Sequence, residues 1–462
     1  MTSRVRAPGT TRPTRPLVVL CPHFAPDTAP TGVVMTRIVE ELVALGHTVH
    51  VVTSLPWYRA HRIEPGWDGR LARTERTDWG SITRVHPFPG RDKSNLLRRA
   101  LGFAAYSLLA GLFCLRAGGW FRRSGAVLAM SPPLTLGLTG WVASRLRRCP
   151  MVFNIQDIFP DAAVETGAIS NRTIIAVARH LERMSYLAAD AVTVLSDDLC
   201  DTVAAKIGNG ATVHVIPNFV DTEEIVPADR ATPYRAELGL GDGPVVLYAG
   251  NVGFSQSLEL VLAAARELPD VTFLVNGNGA ARPSLEGAAA DITNVRFADY
   301  IEPERLSELL ATGDVHVVPL RRGLGRVSVP SKTYSIMAAG RPVVASIDPG
   351  TAVPQILAES GGGIAVDPDD AEAFTAAIRS LVDDPERGRR LGALGRDWVE
   401  DNASPAAVGD AYDRLLRTLM ELRSSNDDAG LKPLPIRAPL ASRGSVTLLV
   451  IHQESREAGD VR

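Results

Sequence analysis

Three stretches of this chain combine residue types suited to holding a phosphate anion. The first runs Val329-Pro330-Ser331-Lys332-Thr333-Tyr334-Ser335-Ile336-Met337-Ala338-Ala339-Gly340-Arg341-Pro342. Its punctuation predicts a helix over 330–339: Pro330 opens it, Gly340 caps it and Pro342 blocks continuation. Ser331 and Lys332 then fall in the first turn, where backbone amides lack intrahelical partners and the helix dipole is positive. A cation there opposes the dipole, and a bound diphosphate would remove that conflict. The plain alternative is a solvated lysine at a helix start. The second stretch, Leu247-Tyr248-Ala249-Gly250-Asn251-Val252-Gly253, ends a predicted strand with two glycines that let backbone approach a phosphate. The third, Asn276-Gly277-Asn278-Gly279, ends another strand in the same way. Each glycine pair alone also fits a tight turn; together with the Ser-Lys helix they form a coherent anion pocket at strand C-terminal ends.

One acid stands apart. Asp157, in Asn154-Ile155-Gln156-Asp157-Ile158-Phe159-Pro160-Asp161, lies just past a predicted strand, where a carboxylate could orient or deprotonate an acceptor hydroxyl. Capping the next turn is the competing role, and the stronger one for Asp161. Asp367-Pro368-Asp369 resembles a metal-binding DxD, but a helix starts at Ala371, so Asp369 or Asp370 reads better as its cap. No other carboxylate or histidine cluster has metal spacing, and no metal or cofactor is expected. His23 lies in the first loop, where it either faces a ligand cleft or is simply solvated.

These residues need a frame, and the hydrophobic rhythm supplies one. The apolar run 17–21, a Pro/Thr-rich loop to Gly32, a helix over 33–45 and a strand over 47–53 open a doubly wound α/β sheet. Strands at 126–130, 151–155, 191–195 and 214–216 continue it, with helices near 134–148, 171–189 and 197–207. The polar stretch 221–243 reads as a domain boundary. A second series follows, with strands near 244–249, 271–276, 295–297, 315–318, 342–346 and 364–366. Its helices are near 257–267, 303–311, 330–339 and 371–382. The expected organisation is therefore a disordered tail over 1–16, an α/β domain over 17–220, a second over 221–404, a last helix over 405–423 and a mostly disordered tail over 424–462. Within that tail, 445–452 has the pattern of an edge strand.

Composition narrows the class. The 45% hydrophobic and 22% charged content is that of a folded globular chain, and a net charge of −3 argues against nucleic acid as partner. Cys21, Cys114, Cys149 and Cys200 have neither metal-finger nor disulfide-scaffold spacing, which fits a reducing, cytoplasmic setting. The segment 101–115 is apolar nearly all round, preceded by Arg98 and Arg99 and followed by Arg116, Trp120, Phe121, Arg122 and Arg123. Fifteen residues fall short of the ~20 that span a bilayer. Both a buried helix and a helix in a membrane interface fit that pattern, and one helix can be both.

Taken together, these motifs resemble the GT-B-fold glycosyltransferases of family 4 from about 17 to 423, with the closest likeness to the WbuB/WcaI-like branch that builds bacterial surface polysaccharides. Pro22-His23-Phe24-Ala25-Pro26 through Gly32, and Leu45-Gly46-His47-Thr48-Val49, resemble the first domain of that family. Asp157-Ile158-Phe159-Pro160-Asp161 is similar to its Asp-Leu-Trp-Pro-Glu segment, and Tyr248-Ala249-Gly250-Asn251-Val252-Gly253 to its Tyr-Ala-Gly-Asn-Leu-Gly segment. Arg326 with Pro330-Ser331-Lys332 matches an Arg-x-x-x-Pro-Ser-Lys pattern.

The resemblance implies two Rossmann-like domains facing each other across a cleft, with a C-terminal helix crossing back to the first. It implies a nucleoside diphosphate sugar as donor, its diphosphate held by Lys332, Ser331, Arg326 and the loop of Gly250, Asn251 and Gly253, with Gly277 nearby. Asp299, Tyr300 and Ile301 would read the base edge through their backbone. His23, Gly32 and Asp157 would face a glycan acceptor; the apolar segment 101–115 points to a polyprenyl-linked one at the inner membrane surface. Catalysis would rest on Asp157, Lys332 and Arg326, with retention of configuration and no metal. Two positions depart from the family: its pair of glutamates is replaced by Val327 and Ser335, which bears on donor identity. A nucleotide-sugar epimerase of the same architecture and a non-catalytic nucleotide-binding scaffold remain the alternatives.

Overall fold

The computed structural model describes residues 15–59, 61–89, 96–161, 171–208, 212–325 and 331–428. Arg326, Val327, Pro330, the first fourteen residues and the stretch 445–452 lie outside the described residues.

The first half folds around an eight-stranded sheet made of β1 (Leu17–Leu20), β2 (Val49–Ser54), β3 (Ala72–Thr77), β4 (Gly80–Val85), β5 (Val127–Ser131), β6 (Met151–Ile155), β7 (Ala191–Val194) and β8 (Thr212–Val215). Its order is β3-β4-β2-β1-β5-β6-β7-β8, parallel throughout except for the antiparallel β3–β4 pair. The central strands are uniformly buried, as helices on both faces require. Helix α1 (Pro30–Ala44) covers one face. On the other lie α2 (Leu96–Arg116), α3 (Thr135–Arg147), α4 (Arg172–Ala188) and α5 (Asp197–Ile207).

After a short helix, α6 (Pro233–Glu237), a six-stranded parallel sheet follows: β9 (Val245–Ala249), β10 (Thr272–Asn276), β11 (Val295–Ala298), β12 (Val315–Pro319), β13 (Val343–Ser346) and β14 (Gly363–Val366). Its order, β11-β10-β9-β12-β13-β14, reverses direction between β9 and β12. That reversal opens a crevice where ligands of such sheets bind. The first sheet has the same reversal between β1 and β5. Around the second sheet run α7 (Glu259–Glu267), α8 (Arg282–Ala288), α9 (Leu306–Thr312), α10 (Lys332–Ala338), α11 (Ala352–Ser360), α12 (Ala371–Val382) and α13 (Pro385–Asn402).

The last helix, α14 (Pro405–Asp428), returns to the first half and packs on α1. His47 Nε2 meets Asp413 Oδ1 at 2.5 Å, and Asn154 Nδ2 donates to the buried Tyr412 hydroxyl at 2.7 Å. The two chain crossings touch each other where the Val220 amide donates to the Ala403 carbonyl, 2.9 Å.

Several elements were not anticipated: the β3–β4 hairpin, α6, α8, α11 and α13. The hairpin strands are polar and mostly open to solvent on β3, so they lack the apolar run of a central strand. Helix α1 begins at Pro30 rather than Val33, which places Gly32 inside its first turn instead of in the preceding loop.

Candidate active site

Lys332 begins α10, and its surroundings decide what it can do. Its Nζ donates to the Tyr248 hydroxyl at 2.9 Å and lies 4.2 Å from the Tyr248 ring centroid. No described carboxylate pairs with it, and burial pulls the ammonium pKa down from 10.5 to about 8. The ammonium sits directly over the Gly250 loop: a Cβ on Gly250 would lie 2.8 Å from Nζ. The loop is built for that approach. Gly250 has φ +135° and Gly277 φ +143°, and a Cβ on Gly277 would overlap the Gly250 carbonyl oxygen, so only glycine fits there. The buried Tyr248, whose phenol is pushed up by burial, also donates to the Asn251 carbonyl and so ties the lysine to the loop.

The loop amides are less available than the sequence implied. Gly250 donates to the Asn276 carbonyl, Val252 to the Asn278 carbonyl and Gly253 to Gln256 Oε1. Of the four amides from Gly250 to Gly253, that of Asn251 has no partner among the described residues. At α10, among the described residues, the first intrahelical donors are Tyr334 and Ser335, both to the Ser331 carbonyl. Ser331 is exposed and does not cap the helix with its side chain; Ser335 is half-buried one turn on.

Asp299, Tyr300 and Ile301 follow β11 on the same edge of the sheet. The Asp299 carboxylate is engaged by Arg282 Nη1 (2.7 Å) and Asn278 Nδ2 (3.1 Å), and its carbonyl accepts from Asn276 Nδ2 (2.6 Å). The exposed Tyr300 donates to the Asn278 carbonyl at 3.0 Å. The segment is thus pinned to the loop after β10, a fixed rim beside Gly277.

The first half carries a separate cavity of about 490 Å³ at the C-terminal ends of its strands. Asp157 reaches it from the end of β6, His23 from the end of β1, and Trp57, Tyr58 and His61 from the loop after β2. Phe103 and Tyr106 of α2 supply part of the wall. Burial raises the Asp157 carboxyl, and no described residue pairs with it. His23 is not the solvated loop residue its position allowed. Its side chain is 12% exposed, bonds Asp27 Oδ2 through Nδ1 at 2.7 Å and stacks on Trp57 at 5.6 Å. Gly32 packs against His23, allowing α1 to approach the β1 loop.

Other sequence candidates have structural duties. Asp161 pairs with Arg179 and Lys206. Asp370 caps α12 through the Ala373 amide, while Asp369 accepts from Ser257. Cys21 is a core residue whose thiol burial pushes up to about 12. Among the described residues no group of three or more His, Cys, Asp or Glu side chains could hold a metal ion.

Two parallel α/β sheets joined by a returning helix, each with a ligand crevice at its strand ends, are the architecture of the GT-B enzymes. Residues 31–218 match the model of the glycosyl transferase 4-like domain, and residues 243–384 that of glycosyl transferases group 1. The chain belongs to the GT-B glycosyltransferases of family 4, and it is a glycosyltransferase. It is 26% identical over 391 residues to the putative colanic acid biosynthesis glycosyl transferase WcaI of Escherichia coli K12, covering 82% of this chain and 94% of that protein. Among solved structures it resembles sucrose-phosphate synthase from Thermosynechococcus elongatus, with a TM-score of 0.65 at 20% identity over 88% of this chain and all of that one. HepE of Anabaena, solved in complex with UDP and glucose, superposes with a TM-score of 0.60 at 14% identity, again over 88% of this chain and all of the other.

Sequence reasoning singled out Lys332, Gly250 and Gly277, which the fold brings together. It gave no role to Tyr248, and it passed over Trp57, Tyr58 and His61. A run of aromatics just past a strand's C-terminal end was the available signal.

Proposed function

We propose that the enzyme transfers a sugar from a nucleoside diphosphate sugar to a glycan acceptor, with retention and without a metal ion. The acceptor is lipid-linked, and the protein works peripherally at the cytoplasmic face of the membrane in surface polysaccharide synthesis. One observation carries the reading: a desolvated lysine without a carboxylate partner is suspended over a glycine loop at the second sheet's crevice.

The chemistry follows from charge. Departure of the nucleoside diphosphate places negative charge on its β-phosphate. Lys332, the amides that begin α10 and the Asn251 amide supply positive potential there, and such preorganised donors contribute about 3 kcal/mol each. Arg326, six residues before Lys332 in the Arg-x-x-x-Pro-Ser-Lys pattern, adds a second cation. The 299–301 rim reads the base edge. In the other half, the raised carboxyl of Asp157 positions the acceptor hydroxyl in the cavity, whose aromatic wall suits a sugar ring. The UDP and glucose bound to HepE support a nucleotide-sugar donor, and the relation to WcaI supports polysaccharide synthesis.

The test has two stages. Thermal shift against UDP, GDP, ADP and their sugars identifies the donor. Incubation of that donor with and without a polyprenyl diphosphate sugar then separates the reactions. Sugar transferred only with acceptor present is expected. Epimerised sugar from donor alone, or no stabilisation by any nucleotide, would overturn the proposal.

A further inference from the structure

The first half has a face that the reaction does not use. Helices α2, α3 and α4 lie side by side on one side of its sheet and turn their inner residues into a common core. Their outer sides carry exposed apolar residues, interspersed on α4 with exposed Arg172, Arg179, His180 and Arg183. Leu101, Leu108 and Leu112 form a stripe along α2, spaced so that they share one side of the helix, and Leu108 is 73% exposed. Trp120 and Phe121, just beyond α2, are 60% and 55% exposed and lie together with ring centroids 5.9 Å apart. Neighbouring α3 adds Trp141, Val142 and Leu146, and α4 adds Val177 and Met184, all exposed. Scattered surface hydrophobes are ordinary, but this many on three adjacent helices are a patch that calls for a partner.

Charge identifies the partner. From Lys93 to Gln156 the chain has nine Lys or Arg residues and no Asp or Glu, in a protein whose overall charge is −3. Arg147 is spent inside, on Ser124 and the carbonyls of Cys114, Leu115 and Ala117. Arg116, Arg122, Arg123 and Arg148 are exposed at or just beyond the C-terminal ends of α2 and α3. Apolar side chains flanked at one end by cations, with tryptophan beside them, suit the interface of an anionic bilayer. Among the described residues no helix is long and apolar enough to cross a membrane, so contact is along the surface.

The geometry points to the outer faces of α2, α3 and α4 as one docking surface for an anionic lipid bilayer. The inference deepens the proposed function, because it says which surface meets the membrane. Helix α2 also joins this surface to the acceptor cavity: Leu101, Leu108 and Leu112 point outward while Gly102, Phe103 and Tyr106 line the cavity. A lipid-linked acceptor can therefore keep its tail in the membrane that α2 lies on while its sugar enters beside Asp157.

Flotation of the full-length protein with vesicles tests this. Vesicles of phosphatidylcholine alone are compared with vesicles containing about one-third phosphatidylglycerol, at low and high salt. Binding to the anionic vesicles is expected, with weakening as salt rises. The double variant Leu108→Glu, Leu112→Glu should lose at least tenfold in partitioning. Leu394→Glu on α13, an exposed leucine of the other half, should bind as the wild type does. Circular dichroism and transfer to a short-chain, water-soluble acceptor should be unchanged in the double variant. Equal partitioning of that variant and wild type, or no binding to anionic vesicles, overturns the inference. Vesicle binding needs no donor, so failure of the proposed reaction would leave this result standing.

Discussion

If Lys332 holds the leaving diphosphate, binding must be linked to its proton. Burial lowers this ammonium from 10.5 to about 8 in the free protein, which corresponds to about 3 kcal/mol against the charged form. A diphosphate beside Nζ reverses that balance and raises the pKa in the complex. At pH 7.5 the lysine is mostly charged before binding, and affinity is near its maximum. Above pH 8 the free protein must take up a proton to bind. The nucleoside diphosphate Kd should then weaken by about 25-fold between pH 7.5 and 9.5. At pH 8.5 binding should draw in about three-quarters of a proton. Calorimetry in two buffers of different ionisation enthalpy reads both quantities. Lys332→Met should bind more weakly and lose the proton uptake. Stability of the unliganded protein should move the other way. The unfolded chain binds the extra proton between pH 8 and 10.5, so this lysine's contribution makes the fold more stable as pH rises through that window. A wild-type Kd that changes less than threefold from pH 7.5 to 9.5, or the same slope in Lys332→Met, refutes the reasoning.

Other perturbations separate the parts. Gly277→Ala places a Cβ onto the Gly250 carbonyl at φ +143°, so thermal denaturation should show a loss of about 2 kcal/mol or more, together with weakened nucleotide binding. Asp157→Asn should lower kcat by about a hundredfold while leaving the nucleoside diphosphate Kd unchanged. Because burial raises the Asp157 carboxyl, the acid limb of kcat/KM in the wild type should lie above the ordinary aspartate value. Asp413 is pushed up by burial, but hydrogen bonds from Arg417 and His47 outweigh this and hold it below its ordinary value. Its contribution to stability is present at neutral pH and lost as pH falls through that lowered value, so Asp413→Asn should flatten the acid side of a plot of melting temperature against pH.

The central strands were legible because a parallel strand buried on both faces must be an unbroken apolar run, as Val245–Ala249 and Met151–Ile155 are. Lys332 stood out because it broke a local rule at a helix start. The β3–β4 hairpin was not, since Arg, Thr and Glu dominate β3 and its pairing is settled by β4 lying against β2. Helix α13 is polar enough to hide its pattern, although Asp384 and Pro385, its N-cap and first residue, were readable start signals. The cavity beside Asp157 was the least legible part. His23, Trp57 and Asp157 follow three separate strands and meet only because those strands end at one edge, while Phe103 reaches the same place from α2. Availability of the Gly250 and Val252 amides was equally hidden, because their partners Asn276 and Asn278 are brought up by the pairing of β10 with β9 rather than by spacing.

The central claim is most directly tested by turnover of Lys332→Ala with the donor that nucleotide screening identifies. A fall in kcat/KM of about a hundred- to a thousandfold is predicted, with the far-ultraviolet spectrum unchanged. Turnover equal to wild type in a folded Lys332→Ala protein would contradict the account.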